Sequence, residues 1–116
     1  MAKSYYIAGP MRGYPEFNFP AFYRAADYLR ARGHFVFNPA ERDAKEGFDP
    51  TGFRGDTAEL EAVKFDLRAA LLADMTFICQ EATHIWMLPG WNKSSGATAE
   101  RALGLALGLK IEGAAA

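Results

Sequence analysis

One cysteine, two histidines and no surplus of basic residues narrow the chemistry of this 116-residue chain before any motif is considered. Cys79 cannot form an internal disulfide, so the pattern expected of a secreted, bridged scaffold is missing. His34 and His84 both fall at the starts of β-prone segments and share no ligand spacing with Cys79, so no metal and no other cofactor is expected. Cys79 itself is expected to be a buried, inert thiol. Thirteen Lys and Arg stand against fourteen Asp and Glu, with a pI of about 6.1, which argues against a broad nucleic-acid surface. No stretch approaches the ~20 apolar residues of a membrane span, and MAKSYYIAGP lacks the charged region and apolar run of a secretory signal. A cytoplasmic protein without membrane or nucleic-acid partners is expected. Three familiar signatures are also missing: the G-x-x-x-x-G-K-[ST] phosphate loop, the G-x-G-x-x-G dinucleotide fingerprint and the G-x-S-x-G nucleophile elbow.

Half of the residues are hydrophobic, enough for one cored domain over residues 1–116. SYYIA at 4–8 predicts a strand ended by Gly9-Pro10. Phe19-Pro20 opens a helix carrying Phe22, Ala25, Ala26 and Leu29, closed by Gly33. HFVF at 34–37 predicts a second strand. Residues 40–56 have no clear period and several glycines, so they read as a long loop, with Phe48, Phe53 and Arg54 available for closing over a site. From Thr57, apolar residues recur every three or four positions to Ala82, which predicts one helix of more than twenty residues. THIWML at 83–88 predicts a strand, Ser95 to Leu107 a helix ended by Gly108, and 109–111 a last strand. This alternation predicts an α/β, Rossmann-like (flavodoxin-like) three-layer sandwich, with about four parallel strands flanked by helices. Ligands of such sheets sit at the carboxyl ends of the strands, where loops 9–18, 38–57 and 89–95 would share one rim.

Two acids stand on apolar helical stripes. Asp74 lies three residues after Leu71 and four before Ile78; Glu100 lies three before Leu103. A carboxylate facing a core costs several kcal/mol unless paired. Each acid alone also has an ordinary reading, Asp74 as a side chain leaning to solvent and Glu100 as an acid near a helix start favoured by the dipole. Ser94, Ser95 and Gly96 open that same helix after a strand, where backbone N–H groups can collect an anion or serve as a plain cap.

YIAGPMRG at 6–13, DMTFI at 74–78 and SSGATAE at 94–100 resemble the nucleoside 2-deoxyribosyltransferase superfamily, which includes the deoxynucleoside 5′-monophosphate N-glycosidases. The nearest likeness is to a branch of small, often phage-associated proteins marked by AGPMRG and LPGW. The resemblance implies Glu100 as nucleophile at the anomeric carbon, held and oriented by Tyr6, and Asp74 as acid, with Asp66 an alternative for the acid. Deoxyribosyltransferases acting on free nucleosides carry an Asp six residues before the nucleophile; Ser94 stands there, as in the monophosphate N-glycosidases. Gly9, Arg12, Gly13, Ser94, Ser95 and Gly96 would then hold a 5′-phosphate; from placement in the chain alone, Trp91 and an aromatic such as Phe17 or Phe48 are expected to stack the base. The chain is shorter than typical members, some of which carry a C-terminal extension that reaches into a partner's site. The implied activity is N-glycosidic cleavage or deoxyribosyl transfer on a nucleotide or nucleoside, by a homodimer. The alternative is a protein that binds a nucleotide in the same cleft without cleaving it.

Overall fold

The computed structural model describes residues 2–116. Four strands, β1 (Ser4–Ala8), β2 (Phe35–Phe37), β3 (His84–Met87) and β4 (Lys110–Gly113), form one parallel sheet in the order β2-β1-β3-β4. Five helices accompany it among the described residues: α1 (Phe19–Arg30), α2 (Pro39–Lys45), α3 (Thr57–Ala62), α4 (Leu67–Gln80) and α5 (Ser95–Ala106). The architecture is the expected Rossmann-like sandwich, and period-two alternation in β1 builds its two cores. Tyr5 and Ile7 pack with Phe22, Ala26 and Leu29 of α1 on one face. Tyr6 and Ala8 pack with Phe77 and Ile78 of α4 and Ala97 of α5 on the other. No helix of the described residues is long and apolar enough to cross a membrane.

The structure departs from the sequence reading in two connections. Residues 40–56 are not all loop, because Pro39–Lys45 is helical. Pro39 stands in its first turn, and the Asn38 side chain accepts from the Ala40 N–H, so it begins with a proline and an Asx cap. The remainder braces rather than covers. Phe48 and Phe53 pack edge-on to Phe17 with centroids 5.7 and 6.2 Å away, and Arg54 reaches the exposed Asp56. Gly13 and Glu16 donate backbone N–H bonds to Gly55 and Phe53. That bracing holds three consecutive left-handed residues, Glu16, Phe17 and Asn18 (φ 54°, 52° and 64°). Such backbone costs roughly 1–2 kcal/mol per residue in L-amino acids, and the burial of Phe17 and the Asn18 bond to the Pro10 carbonyl offset it.

The second departure is the expected long helix over 57–82, which is two helices. Lys64 is left-handed (φ 56°), its N–H bonds to the Glu61 carbonyl, and the Phe65 N–H reaches back to Leu60. This is a Schellman close, and Asp66 then caps α4 by accepting from the Ala69 N–H. Gly108 closes α5 with the same bond pattern, Gly108 to Leu105 and Leu109 to Gly104. The glycine there makes the stop readable, whereas a lysine in the same conformation hides it. Lys64→Gly is therefore expected to raise stability by about 0.5–1 kcal/mol, since it relieves the left-handed cost. In one continuous helix the same change would lower stability by about 1 kcal/mol. Urea unfolding of the two proteins separates these outcomes by sign.

Candidate active site

Tyr6 is the third residue of β1 and points into the α4–α5 side, where it is 1% exposed. Its hydroxyl donates to Glu100 Oε2 at 2.6 Å. Glu100 reaches this place because the inner stripe of α5 is Ala97, Glu100 and Gly104. Gly104 allows the close approach of α5 to the sheet, since a Cβ there would lie 2.3 Å from the Ile85 Cδ1. On α4 the buried stripe is Ala70, Asp74, Phe77 and Ile78, so Asp74 stands in the stripe itself. Asp74 and Glu100 are 7% and 6% exposed, and the buried Asp74 Oδ1 has no hydrogen-bond partner. The sequence expectation that two distant acids turn inward together is met. Asp66 does not join them; it is exposed and occupied as the α4 cap.

These groups line a cavity of about 440 Å³, within the range of small-molecule sites. Its walls come from the loops after β1, β2 and β3, as the rim of a parallel sheet requires. Gly9, Arg12, Ser94, Ser95 and Gly96 line it as expected. A Cβ on Gly9 would lie 2.7 Å from that of Leu88, so glycine lets the β1 and β3 exits come together. A Cβ on Gly96 would meet nothing within 4 Å, so that glycine leaves space in the cleft. Ser94 Oγ accepts from the Ala97 N–H as N-cap of α5. Arg12 and Lys93 are exposed cations at the cavity wall, and neither forms an ion pair among the described residues.

Other expected contacts lie elsewhere. Gly13 is left-handed (φ 86°) and bonds to Gly55 beside the cavity, where it shapes the Arg12 loop without lining the space. Trp91 packs on the α4–α5 core, donates its indole N–H to the Ala114 carbonyl and lies under Arg101. Phe17 is buried in the opposite core and Phe48 packs on it, so none of these three rings faces the acids. Besides Tyr6, the aromatic side chains that do line the cavity are Tyr14, Phe22 and Phe65. Cys79 is exposed rather than buried, one position beyond the inner stripe of α4. Among the described residues, no group of three or more His, Cys, Asp or Glu is arranged to hold a metal ion.

Asp43 was not legible as a site residue, because its segment reads as loop. It faces the same cavity from α2, is 4% exposed, and its Oδ1 lies 3.3 Å from Arg42. Burial pushes its carboxyl up to about 6, against the pull of Arg42. Burial also pushes Asp74 up to about 7, with the charge of Asp43 adding to the effect and Tyr6 opposing it. Glu100 is pushed up to about 8 by burial, opposed by the Tyr6 bond and reinforced by Asp74. Tyr6 is held well above its ordinary value by burial and then by the charges of both acids. Asp74 and Glu100 therefore titrate as a pair. The Tyr6 donor aimed at Glu100 Oε2 favours the ionised form of Glu100 against the push of its burial, while the buried Asp74 Oδ1 has no donor to favour a charge there.

Stability follows from these directions. Both acids have folded values above the ordinary carboxylate range, so between about pH 4 and 8 the folded state binds more protons than the unfolded one. Their contribution is fully present below the ordinary value and is lost as pH rises through the folded one. Glu100→Gln is expected to melt higher than the parent at pH 9, by about 4 °C or more per kcal/mol recovered. At pH 4, where both states are protonated, the two proteins should melt within about 1 °C of each other. Thermal melts followed by circular dichroism at the two pH values test this, and an equal or lower melting point of the variant at pH 9 contradicts it.

Comparison with curated proteins and with solved structures finds no match. One family model covers residues 3–112, from the residue before β1 to the third residue of β4 and so across every element just described. The chain belongs to the family described as a domain of unknown function, DUF4406.

Proposed function

We propose that this protein cleaves the N-glycosidic bond of a nucleoside 5′-monophosphate or nucleoside, with Glu100 as nucleophile. The observation that carries the proposal is the pair of buried acids at one cavity, one bonded by Tyr6 and the other holding an unpartnered oxygen. Burying two carboxylates side by side costs several kcal/mol and does nothing for packing. Cleavage of a glycosidic bond needs one ionised and one protonated carboxyl around a sugar, and the pair supplies both.

In the proposed reaction a Glu100 oxygen attacks C1′ while the bond from C1′ to the base nitrogen breaks. The bonding pair leaves with the base, and Asp74 delivers its proton to the base. The result is a glycosyl ester on Glu100, a free base and an ionised Asp74. Asp74 then takes a proton from water, the oxygen attacks C1′, and the ester bond breaks to restore Glu100. A second base in place of water gives transfer. Tyr6 keeps its hydrogen bond to Glu100 and limits the charge that builds on it. Five residues of helix separate Ser95 from Glu100, a rise of about 7.5 Å. That distance suits a phosphate at the α5 N-terminus, beside Arg12 and Lys93, with the sugar over Glu100.

The proposal also carries a cytoplasmic location and a homodimer, for which exposed Leu72 on α4 and Leu105 on α5 offer apolar area. The specific observation on the side of binding without cleavage is the burial of Glu100, which keeps much of the carboxyl protonated near neutrality.

Base release from a panel of nucleoside 5′-monophosphates, followed by chromatography, decides between the two readings. Glu100→Ala is expected to lose at least about 10³-fold in rate, and Asp74→Asn about 10²–10⁴-fold, with both still binding nucleotide. Binding by the parent protein without release from any nucleotide would leave only the sequestering reading. Arg12→Ala should weaken monophosphates by about 10–100-fold, as expected for a charged hydrogen bond, and spare the matching nucleosides. Equal losses for the two would remove the phosphate contact.

A further inference from the structure

The cavity holds a third buried carboxylate that the glycosidic step does not use. Asp43 enters from α2, after β2, whereas the α5 N-terminus enters after β3, and β1 lies between these strands. Two strand spacings, about 10 Å, therefore separate the two sides of the rim. On the β3 side stand the α5 amides and Lys93; on the β2 side stand Asp43 and the aromatic Phe65. A nucleotide laid across β1 with its phosphate at the amides puts its base beside Asp43. The opposite placement would set a phosphate against a buried carboxylate.

We infer that Asp43 is a specificity-determining residue of this cleft, selecting bases with an exocyclic amino group next to the ring nitrogen that accepts the proton from Asp74. The inference rests on the functional reading above for the direction of that proton, and on the position of Asp43 for the rest. A second feature points to a ligand here: the unpartnered, buried Oδ1 of Asp74 in the same cavity. The donor and acceptor pattern then follows. Asp74 must meet an acceptor nitrogen, and the ionised Asp43, steadied by Arg42, can only accept. Adenine (N7 with the 6-amino group) and cytosine (N3 with the 4-amino group) present that edge. Hypoxanthine, which has no amino group, sets a 6-oxo group against the Asp43 oxygens; guanine does so at its N7 edge and meets the pattern only through N3 and its 2-amino group. Uracil and thymine present N3–H where Asp74 needs an acceptor. A buried acceptor facing another acceptor is the kind of mismatch that discriminates strongly, because neither group keeps a partner.

Adenosine and inosine 5′-monophosphates, in the ribo and deoxy forms, differ at that one position and make the decisive pair. Affinities by calorimetry and base-release rates should be measured for the parent, Asp43→Asn and Asp43→Ala, each checked for an unchanged melting point at pH 6. The parent is expected to favour the amino base by at least about 10-fold. Asp43→Asn can turn an N–H toward an oxo group, so it should cut that preference by at least about 10-fold, largely by improving inosine monophosphate. A residue that merely supports α2 would weaken both ligands alike and leave the ratio intact. Release from both bases with a ratio unmoved by Asp43→Asn overturns the inference and leaves the glycosidase reading standing. Discriminating binding that Asp43→Asn abolishes, without release of any base, supports the inference and overturns the glycosidase reading. Neither binding nor release with this pair or with any other nucleoside 5′-monophosphate of the panel, cytidine included, overturns both.

Discussion

The hydrogen bond from Tyr6 to Glu100 ties the sheet to the acid that the rest of the cleft surrounds. It joins the middle of β1 to the second turn of α5, across 94 residues of sequence. Without it, Glu100 would be a buried carboxyl with no donor, in the same cavity as a second carboxyl with one unpartnered oxygen. Tyr6 has little freedom of its own, since its ring is stacked on Phe37 and lies near Phe77, so the donor is held in place before any ligand arrives. Preorganisation of this kind has a cost that does not show in the contacts. Two acids pushed toward and above neutrality take stability from the folded state at the pH where they would act. Such a cost is retained where a function needs it.

The fold distributes the charges of the cleft by strand order rather than by chain order. In a sheet ordered β2-β1-β3-β4, the two connections that leave β1's neighbours face each other across the β1 exit. One delivers a helix N-terminus with Ser94 and Ser95, the other delivers α2 with Asp43. The result is a cleft with an anion-favouring side and an anion-rejecting side. Gly9 permits this geometry, because the β1 and β3 exits could not meet with a Cβ at that point. The braced loop at 13–18, with its left-handed Phe17 sunk into the opposite core, fixes where Arg12 can stand.

Most of the architecture was readable because its signals are local. The β-prone run SYYIA, glycine stops at Gly33 and Gly108, and the serine cap at Ser94 each act within a few residues. The acids were readable for the opposite reason: an ionisable group on an apolar stripe is a local contradiction that only tertiary structure resolves. What stayed hidden was structure whose chemistry imitates something else. Lys64 ends a helix in the role usually given to glycine, so the apolar period ran on through the break. Asp66 reads as an alternative to Asp74 for the acid and is a cap. Asp43 sits in a helix of seven residues, too short to show a period, and a proline that reads as a breaker is its first residue.

The three misplaced aromatics sharpen the same point about what a rim residue is. Phe17, Phe48 and Trp91 all lie in or beside the loops that frame the cavity, yet each is spent on support. A loop ring near a cleft has two competing uses, and the backbone decides between them. Left-handed geometry at Phe17 turns its ring inward under the α1 core, and Phe48 follows it. Trp91 is directed by its indole N–H, which needs an acceptor when half-buried and finds the Ala114 carbonyl beyond β4. Tyr14 and Phe65 are left lining the cavity, and both belong to segments fixed by those supporting rings or by the Schellman close. Support and cavity lining are thus divided between neighbours in the same loops, so position in a loop alone could not assign either role.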